Sequence, residues 1–311
     1  MASVPLASSQ AGINPCGWRG TADLQFQLDG LGCTSFQGGT TAPLKLLRPF
    51  KGSAGRCELP LLHTAGGLVG GDQLAIKLEL APNSCALITS VAAQKIYGTR
   101  GRSRLDPNGR WAEIKLQSKL AAGADLEWLP QETVVFEGGL LQQQHRVELA
   151  ENASWLGIDV VRLGRTARGE TLGSGCWRSS LEIRRHITSG ARWELVDRLK
   201  IEGNSLNAAH GLQGQPVLGS LVWAAPNPLD QKEIKQLLLQ ARQNSLELEG
   251  EMAISQLQQG VIARYLGPSS QAARFWFCRL WMLIRELRCL AAPTPPRVWP
   301  IQENPCGRNL N

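Results

Sequence analysis

Paired cysteines, clustered histidines and long apolar runs are all missing from this 311-residue sequence, and each absence closes off a class of function. Eight cysteines (Cys16, Cys33, Cys57, Cys85, Cys176, Cys278, Cys289 and Cys306) are scattered with no C-x-x-C pair. In a chain of this length the pattern reads as reduced thiols in a cytosolic protein, not as a disulfide framework. The four histidines, His63, His145, His186 and His210, stand far apart. A closed structural metal site needs about four ligands, commonly in paired spacing, so none is expected. The most apolar stretch, Phe275 to Leu290, is broken by Arg279, Arg285, Glu286 and Arg288, which makes it a poor membrane span. Residues 1–20 show no basic segment followed by an apolar one, so no secretory signal is read there. The expectation is a soluble, cytoplasmic protein with no membrane partner.

Catalytic signatures are missing too. The sequence has no G-x-S-x-G elbow, no H-E-x-x-H and no G-x-G-x-x-G fingerprint. Gly66 and Gly71 have the spacing of a phosphate-binding loop, but Asp72 stands where that loop needs lysine. A carboxylate there repels phosphate.

What is present points to β structure. Glycine is abundant, with 33 residues, and the apolar share of 43% against 19% charged is that of a globular chain. Leu74, Ile76, Leu78 and Leu80 alternate with Gln73, Ala75, Lys77 and Glu79, a period of two that puts the apolar side chains on one face. Ile114, Leu116 and Leu120 (with Ser118 in phase), Val147 with Leu149, Leu156-Ile158-Val160, and Leu181 with Ile183 repeat the pattern. Turn signals at Ala81-Pro82-Asn83, Asp106-Pro107-Asn108-Gly109, Glu137-Gly138-Gly139 and Ser189-Gly190 separate these runs. A sandwich, a barrel or an irregular solenoid would all suit such spacing, and no fixed-period repeat is visible.

After Pro226 the period changes. Asp230 and Glu233 form a capping box ahead of Ile234, Leu237, Leu238 and Ala241, predicting a helix over 230–244. A second helix is predicted over 270–290, stopped by Pro293, Pro295 and Pro296. Ala253 to Tyr265 is compatible with strand or short helix. The chain is therefore read as one mainly β body over residues 21–300 that includes two helices, with a loose leader (1–20) and a tail (301–311). The exposed apolar helix faces either cap the core or meet a partner.

The net charge of +7 and pI near 9.1 favour an acidic partner. Arg100, Arg102, Arg104 and Arg110 form the densest cluster, in a Gly- and Pro-containing stretch that reads as a solvated turn. It lacks the aromatics that stack on bases, yet it keeps open an alternative reading as a basic nucleic-acid-binding β protein. Glu132, behind Trp128-Leu129-Pro130-Gln131, and Glu170, behind Gly164-Arg165 and Arg168-Gly169, are the carboxylates with unusual neighbours. Either they pair with arginines or, in a hydrolase reading, they form an acid pair. In Gly66-Gly67-Leu68-Val69-Gly70-Gly71-Asp72 the paired glycines imply positive φ or close approach to another surface, and Asp72 can fix the turn through its own backbone. Valine at Gly70 or Gly71 is expected to be harmful because it disfavours positive φ.

Taken together, the motifs resemble the urease accessory protein D family. The resemblance rests on His63 to Asp72, Thr89-Ser90 with Gln94-Lys95-Ile96-Tyr97, Trp128 to Thr133, and Leu163 to Glu170. It continues in order through Asp197-Arg198-Leu199, Pro216-Val217-Leu218-Gly219 and Pro296-Arg297-Val298-Trp299, and covers roughly residues 20–300. Ser90 stands where the family often has threonine. The resemblance implies a strand-wound β fold with a short helical element. It also implies an accessory chaperone that is no enzyme and binds no nucleic acid. Such a chaperone docks the F-type and G-type accessory proteins on apo-urease for GTP-dependent nickel insertion, the GTPase being the G-type partner. No cofactor is held stably; nickel transits, with Glu132, Glu170 and Asp197 as transient ligands. Gly66, Gly67, Gly70, Gly71 and Asp72 are implied to shape a contact loop, and Gln131, Glu132, Gly164, Arg165, Gly169 and Glu170 to order a polar region of the scaffold.

Overall fold

The computed structural model describes residues 17–299 and Pro305. The tail apart from Pro305, and all but the last residues of the leader, lie outside the described residues; Arg19 and Gly20 already belong to the first strand.

The first half of the chain is built of β1 (Arg19–Leu28), β2 (Thr34–Thr40), β3 (Leu44–Leu46), β4 (Phe50–Lys51), β5 (Cys57–His63), β6 (Gln73–Leu80), β7 (Cys85–Val91) and β8 (Gln94–Ile96). Next come β9 (Ala112–Leu120), β10 (Asp125–Leu129), β11 (Thr133–Val135), β12 (Leu140–Leu149), β13 (Ser154–Leu163), β14 (Cys176–Ile187) and β15 (Gly190–Glu202). The rest comprises a one-turn α1 (Gly203–Leu206), β16 (Val217–Ala224), α2 (Gln231–Gln243), β17 (Glu251–Leu257), β18 (Gly260–Gly267) and α3 (Ser270–Leu287).

Two sheets face each other. Sheet A runs β15-β14-β12-β9-β6-β1-β2 and sheet B runs β17-β18-β16-β13-β10-β7-β5-β3, with β4 beside β5 and the short β8–β11 ladder joined to β13. From β5 to β14 the chain passes back and forth between the sheets, and each strand pairs in parallel with the one a rung earlier. Parallel neighbours need a crossover; here the crossover is a strand of the opposite sheet, so the body is wound like a β-helix. The rungs differ in length. Gln73 pairs with Glu113, Glu113 with Gln142 and Gln142 with Arg178, offsets of 40, 29 and 36 residues. Unequal connecting loops explain why no sequence period is visible. The strands of sheet A reach 13 residues in β15.

Between the sheets lies the main core, filled by one face of each strand: Leu74, Ile76, Leu78 and Leu80 from β6, Leu116 and Leu120 from β9, Val147 and Leu149 from β12. The outer face of sheet A is polar. Leu156, Ile158 and Val160 of β13 point the other way, into a second core under α2 and α3. Sheet B is thus buried on both faces, as its apolar runs require. Asp230 caps α2, its Oδ1 accepting from the Lys232 and Glu233 amides at 2.8 and 2.7 Å. The segment left open at Ala253–Tyr265 belongs to the β17–β18 hairpin.

Helix α3 does not offer an apolar face to solvent. Trp276, Phe277, Leu280, Trp281, Leu283 and Ile284 are buried against sheet B, so this helix caps the core. An ionic network pins it. Arg285 donates to Glu127 through Nε at 2.8 Å and Nη2 at 2.5 Å, Trp281 Nε1 reaches the same carboxylate at 2.8 Å, and Asp125 pairs with Arg56 (2.5 Å) and Arg288 (2.9 Å). Burial alone would raise the Asp125 pKa, but Arg56 and Arg288 pull it down to about 2.

Candidate functional site

The connections that lead into sheet A stack along one edge of the solenoid, and most of the sequence motifs lie there. In the 64–72 loop, Leu68 turns inward and is fully buried, its N–H donating to Lys95 O while Tyr97 N–H donates to Leu68 O. Gly66 (φ 74°), Gly67 (φ 157°) and Gly71 (φ 100°) take backbone conformations that L side chains resist. Gly67 also lies flat against Tyr97 and Lys95; a Cβ there would fall 2.6 Å from the Tyr97 ring. Gly70 departs from the expectation of positive φ. It is required for space, since a Cβ would sit 2.4 Å from Arg110 O and 2.8 Å from Thr99. Asp72 fixes the turn as read, Oδ2 accepting from Val69 N–H at 2.9 Å and Oδ1 from Trp18 N–H at 2.8 Å.

Tyr97 continues the face. It meets Phe136 edge-on at 5.3 Å, and the Arg165 guanidinium covers the other aromatic at 4.5 Å. Arg165 Nε donates to Glu170 Oε2 at 2.6 Å, and Glu170 Oε1 accepts from Glu137 N–H at 2.8 Å. The hydrogen bond from Arg165 holds the Glu170 carboxyl below its ordinary pKa, so it is a poor proton donor. Gly164 (φ 90°) and Gly169 (φ 70°) make the bends that bring Glu170 back onto Arg165. Arg100 donates to Ser174 O at 2.8 Å and ties the arginine-rich 97–111 loop to the 164–175 loop. Gly109 closes that loop with φ 68° and an N–H bond to Asp106 O, the turn its sequence announced.

Behind this face, between the sheets, is a cavity of about 240 Å³. Its wall carries His63, Gln94, Gln131, Gln143, His145 and Asp159 among apolar neighbours. His145 is wedged edge-on between Trp128 (6.1 Å) and Trp155 (5.0 Å), with Nε2 3.2 Å from Ser118 Oγ. Burial lowers its pKa to about 3, which keeps the imidazole neutral. His63, 3.3 Å from the Gln94 amide nitrogen, is likewise lowered by burial. At the far end, one polar row crosses the inner face of sheet B: Asp159 pairs in register with Ser220 and Ser220 with Arg264. Arg264 bonds Ser220 Oγ and reaches Asp197 of sheet A at 2.6 Å. Burial raises the Asp159 pKa to about 6, Arg264 opposing and Asp197 adding to the shift.

Glu132, Glu170 and Asp197 do not meet. Glu132 is held by Arg274 at 2.5 Å beside α3, Glu170 by Arg165 at the loop face, and Asp197 by Arg264 within the body. Among the described residues no three His, Cys, Asp or Glu side chains form a group able to hold a metal ion, and Cys33, Cys57, Cys85, Cys176 and Cys289 are free thiols. Other motifs do converge. Trp299 Nε1 donates to Thr89 Oγ1 at 2.7 Å, Thr89 Oγ1 to Leu129 O at 2.6 Å, and Gln131 N–H to Ser90 Oγ at 2.8 Å; Arg274 lies over the Trp299 ring. Sequence reasoning missed His145 and Asp159 as lining groups, and Arg264 as the partner of Ser220 and Asp197 beside them. The signal was present: Asp159 and Arg264 are lone polar residues in the inward phase of apolar strands, and His145 shares its inward phase with Gln143. Among the described residues no helix is long and apolar enough to cross a membrane.

Comparison with known proteins gives one answer. The family model for the UreD urease accessory protein matches residues 19–300. The urease accessory protein UreD of Synechococcus sp. (strain CC9902) is 56% identical over 298 residues, covering 96% of this chain and 95% of its own length. That of Synechococcus sp. (strain RCC307) is 58% identical over 286 residues, 92% and 91% of the two chains. That of Prochlorococcus marinus (strain MIT 9303) is 55% identical over 281 residues, 90% and 92%.

Proposed function

This chain belongs to the UreD urease accessory protein family, and we propose that it acts in urease maturation as a non-catalytic cytoplasmic scaffold. In this reading it seats the F-type and G-type accessory proteins on apo-urease while nickel is inserted at the cost of GTP hydrolysed by the G-type partner. The observation that carries the proposal is the loop face itself. Motifs far apart in sequence, from Gly66 to Glu170, are brought to one edge and knitted by backbone and guanidinium contacts. That cross-linked, basic surface suits an acidic protein partner. Nickel is cargo here, not a resident cofactor. Glu132, Glu170 and Asp197 would serve as brief ligands, each already held by an arginine that competes with the ion. Weak, contested ligation suits a carrier, because a closed site would retain its ion.

The test is made in cells. Urease activity and urease-bound nickel are measured with the chain present, absent, or carrying Gly70→Val, at matched apo-urease levels. The absent chain should leave urease protein abundant but nickel-poor and inactive. Gly70→Val should weaken capture of the accessory partners or lower the yield of folded chain, because its Cβ has no space beside Arg110. Fully metallated urease in cells without the chain would overturn the reading.

A further inference from the structure

Ten large apolar side chains are exposed among the described residues, and they are not spread evenly. Six lie in three pairs close in sequence: Leu28 with Leu31, Trp193 with Val196, and Leu239 with Leu246. The other four, Trp18 (60% exposed), Val69 (48%), Tyr97 (36%) and Leu105 (98%), come from three separate segments gathered at the loop face. Their common support is the 66–72 loop. One buried carboxylate, that of Asp72, accepts from the N–H groups of both Trp18 and Val69. The Tyr97 ring rests on Gly67, and Thr99 and Arg110, which close the arginine loop that carries Leu105, press on Gly70. Seven residues span at most about 23 Å, so Trp18, Val69 and Tyr97 border one patch, with Leu105 on the loop beside it. Single exposed apolar residues are ordinary, whereas a patch of them with a polar rim marks a contact surface.

The rim selects the partner. Arg100, Arg102, Arg104, Arg110, Arg165 and Arg168 lie in the loops beside the patch, against Asp106, Glu137 and Glu170, an excess of three positive charges. Two of those acids, Asp106 and Glu170, are already taken by Arg110 and Arg165. Such a rim attracts carboxylates. The aromatic rings Trp111 and Phe136 each have a face covered by an arginine, Arg178 at 4.3 Å and Arg165 at 4.5 Å. That leaves less ring for stacked bases, and Val69 and Leu105 offer none. Tryptophan, tyrosine and arginine side by side are the composition of a protein–protein hot spot.

We propose that Trp18, Val69, Tyr97 and Leu105 form the apolar centre of a docking surface for an acidic protein, one that offers an apolar hollow ringed by carboxylates. The arginines are the rim of that surface. This assignment rests on the scaffold reading and names the contact through which the scaffold is engaged.

Purified F-type accessory protein, G-type accessory protein and apo-urease are each titrated by calorimetry into the full chain, alongside a single-stranded RNA and phosphatidylserine vesicles. At least one of the three proteins should bind the parent, and more weakly as salt rises. Val69→Glu and Leu105→Ser should weaken that binding at least about tenfold. Trp193→Ala, at an exposed tryptophan towards the other end of sheet A, should stay within about twofold of the parent. Leu105 is almost wholly exposed, so its substitution leaves the fold intact, and a melting curve checks Val69→Glu. A partner that binds both folded variants as tightly as the parent, or that loses as much affinity in Trp193→Ala, overturns this proposal and leaves the scaffold reading standing. A parent chain that binds none of the three proteins overturns both. RNA or vesicles that bind the parent and are released by these variants, with the three proteins unaffected, overturn the proposal because the occupant is then not a protein.

Discussion

The two faces of sheet B bury charged groups in opposite ways. On the face under α3, Arg56, Asp125, Glu127, Arg285 and Arg288 bond one another, and among the described residues none of these five side chains keeps a buried polar atom without a partner. On the face towards sheet A, Asp159, Ser220 and Arg264 form a shorter row, and His63, Gln131 and Trp155, which line the cavity beside it, each keep a buried nitrogen without a hydrogen-bond partner among the described residues. A saturated network holds one arrangement and admits nothing else; where bonds are already missing there are fewer to lose. Removing a partner should therefore be severe on the first face and mild on the second.

The largest effect is expected at Glu127. Glu127→Ala strands two buried donors of Arg285 and the Trp281 N–H and should cost about 3–5 kcal/mol. Chemical denaturation measures it, and a loss under about 1 kcal/mol would erase the contrast between the faces. Asp159 comes next. Its folded pKa of about 6 lies above the ordinary 3.8, so the folded state binds the proton more tightly than the unfolded one. Stability then falls as pH rises from about 4 to about 6, by an order of 1–3 kcal/mol, and levels off above that. Asp159→Asn should remove this slope. Parallel pH profiles for parent and variant would show that the carboxyl is not confined as described. The smallest change belongs to Gln131→Leu. Its amide nitrogen has no partner, so the substitution should stay within about 0.5 kcal/mol of the parent or stabilise slightly; a cost above about 2 kcal/mol would mean that the group is bonded after all.

Local order was legible in the sequence; the winding was not. The alternation from Gln73 to Leu80 is strand β6, and Asp230 with Glu233 is the cap of α2, because both signals depend on near neighbours. The solenoid depends on register between residues 29 to 40 apart, and its loops follow no period. Arg285 read as an interruption of an apolar helix, since its partner Glu127 lies 158 residues away. At Gly70 the requirement was readable and its cause was not: crowding by Arg110 is invisible without the fold. For the candidate site, the loop motifs announced themselves, whereas Asp159 and His145 gain meaning only once the opposite sheet closes over them.

The pinning of Trp299 to Thr89, 210 residues earlier, sets an order of events during synthesis. Strands β7, β10 and β13 leave the ribosome long before α3 exists to cover them. Until Ser270 and the residues after it emerge, Leu87, Leu129, Leu156 and Ile158 face the outside. The nascent chain therefore carries an open apolar surface through most of its translation, a window for holdases or early association. Its last segment acts as the latch that ends that exposure.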